Sequence, residues 1–142
     1  MDMDLGQLKK LRARRVEQCF IELQTQRKIL NEWIVYQQKQ EQHLIDFQQW
    51  RLNYQETLFA ALKNQTFDPQ ALLEYRLKLD ELQQEENRLR DALKQTYESL
   101  KAASMQVEVA QQGSSSANIK LEKLKEIIKF HDAKTPSEEP AQ

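Results

Sequence analysis

The fold is decided by seven residues in the middle of the chain, Lys63-Asn64-Gln65-Thr66-Phe67-Asp68-Pro69. Upstream, a helical pattern is expected to stop at Asn64, because Asn tolerates the left-handed conformation that closes many helices. Asp68 can cap the next helix, since its carboxylate accepts backbone N–H groups and the following proline keeps it out of the α region. Pro69 suits the first helical position, where a missing N–H has no consequence. A stop and a start this close together predict the bend of a helical hairpin.

Two further points concern the bend. Phe67 and Leu72 occupy the two positions of a hydrophobic staple, which would fix the direction in which the second helix starts. The alternative interpretation is a kink in one long helix.

Composition also favours long helices. The 142 residues include only two Gly and three Pro, and 30% of them are charged, which is unfavourable for sheet or disorder. The length predicts one domain. The apolar fraction of 39% is low for a globule but sufficient for a narrow seam between two helices.

The net charge and the number of cysteines limit the partners and the compartment that we expect for the protein. A net charge of −1 gives no reason to expect nucleic acid as a partner. Cys19 is the only cysteine, so no internal disulfide is possible and a reducing compartment is favoured. The sequence shows no signal peptide and no apolar run near 18 residues, so we expect neither export by that route nor membrane insertion.

Downstream of the bend, apolar residues follow a heptad pattern. With Leu72 as position a, fourteen of eighteen a and d residues are apolar, where the 39% background would give about seven. The pattern continues through Gly113-Ser114-Ser115-Ser116, so the second helix is expected to run from about 69 to 132 despite this linker-like composition. Residues 135–142 have little to bury and are expected to be a disordered tail.

Upstream, the first helix is expected over about 5–63. Its seam changes register once, by a three-residue step after Leu44, which is a stammer in a coiled coil. The seam residues before the step are Val16, Phe20, Leu23, Arg27, Leu30, Ile34, Gln37, Glu41 and Leu44, and those after it are Phe47, Arg51, Tyr54, Leu58 and Ala61.

Folding the chain at Thr66 pairs positions whose numbers add to roughly 132. The fold class is therefore all-α, an elongated antiparallel two-helix coiled-coil hairpin over residues 1–134, with arms of roughly 90 Å. In this register Gln37 comes opposite Thr96, a buried polar pair that would penalise slipped registers. Phe20 comes opposite the small residues near Gly113.

The hairpin brings the two chain termini together in a basic end. Lys120 and eight other cations converge there, with only Glu122 and Glu126 to offset them. The eight are Lys9, Lys10, Arg12, Arg14, Arg15, Lys123, Lys125 and Lys129. One interpretation is ordinary solubilising charge, and the other is an end that docks against an acidic ring.

A second candidate surface is aromatic. Trp33 and Tyr36 lie with Ile29 on a stripe that the seam does not use, and Trp50 and Phe59 lie further along the first helix. These side chains either lean over the edges of the seam or form a partner surface.

No constellation of residues indicates catalysis. His43 and His131 are far apart in the predicted hairpin and neither lies near Cys19, so no metal cluster or Cys/His pair is expected. Acidic pairs such as Glu85-Glu86 share their helix with many basic residues and indicate a solvated face. We expect a protein that is not an enzyme and needs no cofactor or metal.

The residues around the bend resemble a known family. The order and spacing of Trp50-Arg51, Leu58-Phe59, Lys63-Asn64, Thr66, Leu72, Tyr75, Leu79, Leu82 and Glu86 is similar to the YscO branch of the FliJ/YscO stalk proteins of type III secretion. The resemblance is best over residues 50–86. The resemblance does not place the Gly-Ser run near 113 or the short tail, so it extends less safely to the C-terminal arm.

The resemblance implies a stalk at the cytoplasmic face of a secretion apparatus. Its partners would be the hexameric secretion ATPase, the cytoplasmic ring of the export gate and secretion chaperones. The basic end would bind the ATPase and stimulate it. The aromatics Trp33, Tyr36, Trp50, Tyr54, Phe59 and Tyr75 would be candidates for binding the gate or the chaperones.

Two other functions stay open at this stage. A hairpin chaperone or escort would hold secreted clients on the aromatic surface. A generic coiled-coil scaffold would form a parallel dimer, whereas a seam satisfied within one chain predicts a monomer.

Overall fold

A computed structural model of the protein describes residues 4–66 and 68–134. Within these residues the chain forms two α-helices, α1 (Leu5–Lys63) and α2 (Pro69–Lys134), which pack against each other as a helical hairpin. The predicted all-α hairpin class is confirmed. The predicted staple at Phe67 and the predicted tail at 135–142 lie outside the described residues.

Aspartates start both helices. The Asp68 carboxylate accepts a hydrogen bond from the Gln70 backbone N–H (3.1 Å), and its carbonyl accepts the first helical bond from Leu72. The predicted N-cap is therefore confirmed. Asp4 does the same at the start of α1, where its carboxylate accepts from the Gly6 N–H at 3.2 Å.

The end of α1 differs from the prediction. No described residue has a positive φ, so Asn64 does not adopt the left-handed conformation expected of it. The Asn64 N–H instead donates to the Ala60 carbonyl in a last α-helical bond, and the Gln65 N–H donates to Leu62. This bond, from a residue to the carbonyl three positions earlier, tightens the final turn of α1. It gives the Leu62 carbonyl a hydrogen-bond partner without a left-handed residue.

The chain divides into two compact units. The terminal unit combines the start of α1, up to Leu30, with the part of α2 from Ala103 onward. The bend unit comprises Asn31–Ala102. Each unit contains antiparallel pairing of α1 with α2.

In the terminal unit, the seam buries small and medium side chains. Leu23 from α1 and Leu124 from α2 are the most enclosed, at 4% and 2% exposure. Ala103, Ser114, Ala117 and Leu121 are buried with them, all at predicted a or d positions of α2. The helix passes through Gly113–Ser116 without interruption, and Ser114 is itself a seam residue.

The α1 side of this seam corrects the predicted one. Cys19 is buried, whereas Phe20 is 55% exposed. Cys19 continues the three-then-four spacing from Val16 to Leu23, and it lines a shallow cleft with Ala110 and Gly113. The seam position on α1 is therefore occupied by the small Cys19 side chain, while the Phe20 ring lies outside the seam.

The same spacing continues along α1 without the predicted stammer. Gln26, Trp33 and Gln40 are partly buried at positions that keep the three-then-four alternation between Leu23 and Leu44. Arg27, a predicted seam residue, is exposed. Several of these seam positions carry polar residues. The pattern of apolar residues alone therefore did not show the regular spacing and suggested a change of register.

In the bend unit, the α2 seam buries Leu82, Glu86 and Thr96. The predicted pair of Gln37 and Thr96 is not joined as expected, because each residue bonds elsewhere. The Thr96 hydroxyl donates to the Ala92 carbonyl (3.1 Å), and the Gln37 amide donates to Glu41 (2.8 Å) and to the Tyr97 hydroxyl (3.3 Å).

Candidate docking surfaces

The basic surface lies in the terminal unit, where the start of α1 pairs with the end of α2. One hydrogen bond fixes this pairing: an Arg12 guanidinium nitrogen donates to the Lys120 backbone carbonyl at 3.1 Å. Further along the unit, Arg27 donates to the Gln111 side-chain oxygen at 2.9 Å. Because both contacts join α1 to α2, cations that are a hundred residues apart in sequence share one surface.

This surface has a strong excess of positive charge. Residues 5–16 and 120–129 together carry nine basic side chains and two acidic ones. Six of the eight predicted ATPase-binding residues are exposed, namely Lys9, Lys10, Arg14, Arg15, Lys123 and Lys129.

The other two have local roles. Arg12 is partly buried and holds the α2 carbonyl described above. Lys125 is also partly buried, and its ammonium lies 3.3 Å from the Glu122 carboxylate. These two cations therefore each have a partner within the protein, Arg12 a backbone carbonyl and Lys125 a carboxylate.

The aromatic candidates divide by exposure. Tyr36, Trp50 and Phe59 are exposed by 51%, 51% and 55%. Trp33, Tyr54 and Tyr75 are partly buried in or beside the seam. The first three can therefore contact a partner directly, while the others mainly cover the joint between the helices.

Trp50 is held in place by its neighbours on α1. Its ring stacks on Tyr54, with centroids 4.9 Å apart and planes within 10°, and it lies 5.8 Å from Phe47. Such stacking restricts the orientation of the indole, although Trp50 stays 51% exposed. A pre-ordered aromatic loses less entropy when a partner covers it.

A polar cluster joins the helices next to this aromatic surface. The Tyr97 hydroxyl donates to the Glu41 carboxylate, which also accepts from Gln37. The hydrogen bond from Tyr97, helped by that from Gln37, lowers the pKa of Glu41. The same bond to Glu41 raises the pKa of Tyr97.

A second polar cluster crosses the seam. The Glu86 carboxylate lies 3.5 Å from Arg51 on α1 and 3.2 Å from Arg90 on its own helix. Arg51 also donates to the Gln83 side-chain oxygen at 3.0 Å. The solvated face expected of Glu85-Glu86 is therefore wrong for Glu86, which is 9% exposed at a seam position in the heptad count from Leu72. The sequence placed Arg51 in the α1 seam but did not pair it with Glu86.

The described residues show no metal centre or transmembrane segment. Within 4–66 and 68–134, no three His, Cys, Asp or Glu side chains lie close enough together to hold a metal ion. Neither helix, over the same residues, contains an apolar stretch long enough to cross a bilayer. The fold and surfaces therefore define a helical hairpin that presents charged and aromatic faces.

Comparison with known families identifies the class more closely. The model of the family described as type III secretion protein YscO matches residues 4–142. The chain therefore belongs to the YscO family of type III secretion proteins. The match extends through the C-terminal part, where the resemblance in sequence was weakest. No curated protein and no solved structure matches the chain.

Proposed function

We propose that the protein is the central stalk of a type III secretion system, which docks on the hexameric secretion ATPase and links it to the export gate. It acts without a catalytic group of its own, at the cytoplasmic face of the apparatus. By docking, it stimulates ATP hydrolysis and thereby aids protein export.

The observation that carries this proposal is the basic surface of the terminal unit. Seven net positive charges are concentrated on a chain whose total charge is −1. Opposite charges across an interface accelerate encounter and set its orientation, and they are screened by salt. A cationic end of this kind suits the acidic mouth of a protein ring.

Coupling follows from asymmetry. A single hairpin inside a six-fold ring contacts the subunits unequally, so it stabilises different conformations in different subunits. If the aromatic surface binds the gate, occupation of one site changes the affinity of the other, which is a coupling free energy between two partners.

The test is steady-state ATP hydrolysis by the purified secretion ATPase of the same system. Arg14→Glu and Arg15→Glu together should raise the concentration for half-maximal stimulation at least about tenfold, since each reversal removes an attraction and adds a repulsion. The matched control is Arg76→Glu with Lys94→Glu, two exposed cations of the bend unit. It carries the same change in net charge and should stimulate normally.

Two results would count against the proposal. One is undiminished stimulation by the Arg14/Arg15 variant, and the other is equal loss in both variants, which would indicate a response to net charge alone.

The exposed aromatics support a second candidate, a chaperone or escort for secreted proteins. Under that function Trp50→Ala would weaken client binding, and no variant would alter ATP hydrolysis. Leu52→Ala is the control for general loss of hydrophobicity, because this apolar residue two positions along α1 is 62% exposed.

A further inference from the structure

The terminal unit has a stripe of exposed apolar side chains on α2. Five large apolar side chains of this stripe are between 54% and 62% exposed: Met105, Val109, Ile119, Ile127 and Phe130. With Gln112, Ser116 and Lys123 they follow one another at steps of three or four residues, so they share one side of the helix. The buried seam residues, from Ala103 to Leu124, lie on the opposite side.

We propose that two copies of the chain associate through this stripe, with α2 packed against α2 in antiparallel orientation. The two-fold axis passes between residues 117 and 118. A seam satisfied within one chain predicts a monomer, but a monomer gives no role to the exposed apolar side chains of the α2 stripe. The inference does not depend on the proposed stalk function.

The stripe is complementary to itself. In a two-fold pair each contact occurs twice, and every patch must match its own reversed copy. Residues whose numbers add to 235 or 236 then meet: large apolar side chains meet each other towards both ends of the stripe, polar side chains meet between them, and a small serine lies opposite an isoleucine at the centre. Met105 meets Phe130 of the second copy, Val109 meets Ile127, Gln112 meets Lys123 and Ser116 meets Ile119.

The centre of the stripe has the shape for such a contact. Ser115 and Ser116 lie beside Ile119 in a shallow cleft of about 440 Å³, which Gln112 and Lys123 also line. Ile119 of the second copy would enter this cleft as a knob enters a hole. The Gln112 side-chain oxygen can accept a hydrogen bond from Lys123 of the second copy, so the flanking polar groups are also satisfied.

Other arrangements match less well. Moving the pairing by one heptad brings Lys123 against Met105, or Gln112 against Phe130. A parallel, in-register pair would bring Lys123 against its own copy and oppose two ammonium groups at the interface. Of these arrangements, the antiparallel pair with its axis between residues 117 and 118 places Lys123 opposite a polar side chain and Met105 opposite Phe130.

The area is sufficient for a weak dimer. Half-exposed side chains of this size each present about 100 Å² of apolar surface, so the two stripes together bury roughly 1,000 Å². This is near the lower limit for a specific interface, so we expect reversible association with a Kd in the micromolar range.

One pair of like charges opposes the association. Glu108 and Glu126 lie on the same edge of the stripe, and their numbers add to 234, so each comes near the other's copy. Glu126→Lys would convert two repulsions into two attractions. We therefore expect this substitution to lower the Kd several-fold, an effect that requires this particular register.

Sedimentation velocity of the full chain tests the association. Between about 1 and 200 µM the wild type should pass from monomer to dimer. Val109→Glu should raise the Kd at least about tenfold, whereas Val35→Glu, at a 49% exposed position in the bend unit, should leave it unchanged. Far-ultraviolet circular dichroism establishes that both variants keep their helices. A protein that stays monomeric throughout this range would overturn the proposal.

Disulfide trapping tests the orientation in a Cys19→Ala background. A mixture of Val109→Cys and Ile127→Cys chains should form a disulfide-linked dimer on oxidation. Either variant alone should not, because its two cysteines would lie about 25–30 Å apart. Efficient linkage in each variant alone would contradict the antiparallel arrangement, and so would an unchanged Kd for Glu126→Lys.

Discussion

The cluster of Glu86, Arg51 and Arg90 provides a quantitative prediction about the seam. The Glu86 side chain is 11% exposed and that of Arg51 is 16% exposed, whereas Arg90 is 58% exposed. Breaking a fully buried ion pair by removing one partner costs about 3–5 kcal/mol, mostly because the other charge is left without compensation. Here the remaining exposure, and the bond from Arg51 to Gln83, reduce this to about 1–3 kcal/mol for Glu86→Leu.

The double variant separates this pair from general effects at the seam. Arg51→Met with Glu86→Leu removes both charges and supplies apolar side chains of similar size, so its free energy of unfolding should return to within about 1 kcal/mol of the wild type. Urea unfolding monitored by circular dichroism measures all three proteins, and the coupling energy should be about 1–3 kcal/mol.

Arg90→Ala is the matched control, since an exposed partner of the same carboxylate should contribute less than about 1 kcal/mol. The reasoning is refuted if the two single losses simply add in the double variant. It is also refuted if Arg90→Ala destabilises the protein as much as Arg51→Met does.

Three further predictions concern the same hairpin. Because folding lowers the pKa of Glu41, this carboxylate stabilises the folded protein at pH values above the ordinary pKa of 4.5. The stabilisation is lost as the pH falls through the lowered pKa. The raised pKa of Tyr97 contributes stability below 10.0, which is lost as the pH rises. The stability difference between wild type and Tyr97→Phe should thus be largest between these limits and shrink outside them, and a pH-independent difference in urea titrations would contradict this. Gly113→Ala should raise the free energy of unfolding by about 1 kcal/mol in thermal unfolding, because α2 is regular there and no atom lies within 4 Å of the added methyl group. A destabilised variant would indicate that the helices approach each other more closely at this position. Spin labels at exposed Gln24 and Gln111, diluted with unlabelled chain, should lie roughly 15–30 Å apart, against about 130 Å along one straight helix.

The hairpin could be predicted because its signals are local. Asp68-Pro69 starts a helix by chain geometry, and the α2 heptads are mostly apolar, so Leu82, Ala117 and Leu124 were placed correctly at the seam. The family could also be predicted, from the order and spacing of aromatic and charged residues around the bend in this chain, and the family model matches residues 4–142.

The α1 seam was less predictable for a physical reason. Gln26, Gln40 and Arg51 occupy seam positions, and long polar side chains can be partly buried there. The Arg51 guanidinium reaches Glu86 and the Gln26 amide donates to Glu22, whereas the Gln40 side-chain oxygen is buried without a hydrogen-bond partner among the described residues. A pattern of apolar residues cannot detect such positions. Phe20 was misplaced because its volume suggested a filler for the small residues of α2, whereas the buried residue at this level of α1 is Cys19.

Side-chain partners were beyond the sequence as well. Heptad positions bring Gln37 and Thr96 to the same level, but rotamers decide that Gln37 reaches Glu41 and Tyr97 instead. The exposure of the outer α2 stripe likewise depends on which face α1 covers. The assignment of the basic and aromatic residues to particular partners stays a prediction.

The docking of the basic surface on the ATPase is tested most directly by site-specific photocrosslinking. A photoreactive amino acid at Ala13, an exposed residue among the α1 cations, should crosslink to the secretion ATPase, while the same group at exposed Gln65 in the bend should not. Raising the salt concentration should reduce the Ala13 product, because the attraction is screened. Crosslinking from Gln65 with none from Ala13 would show that the bend, and not the basic surface, meets the ATPase.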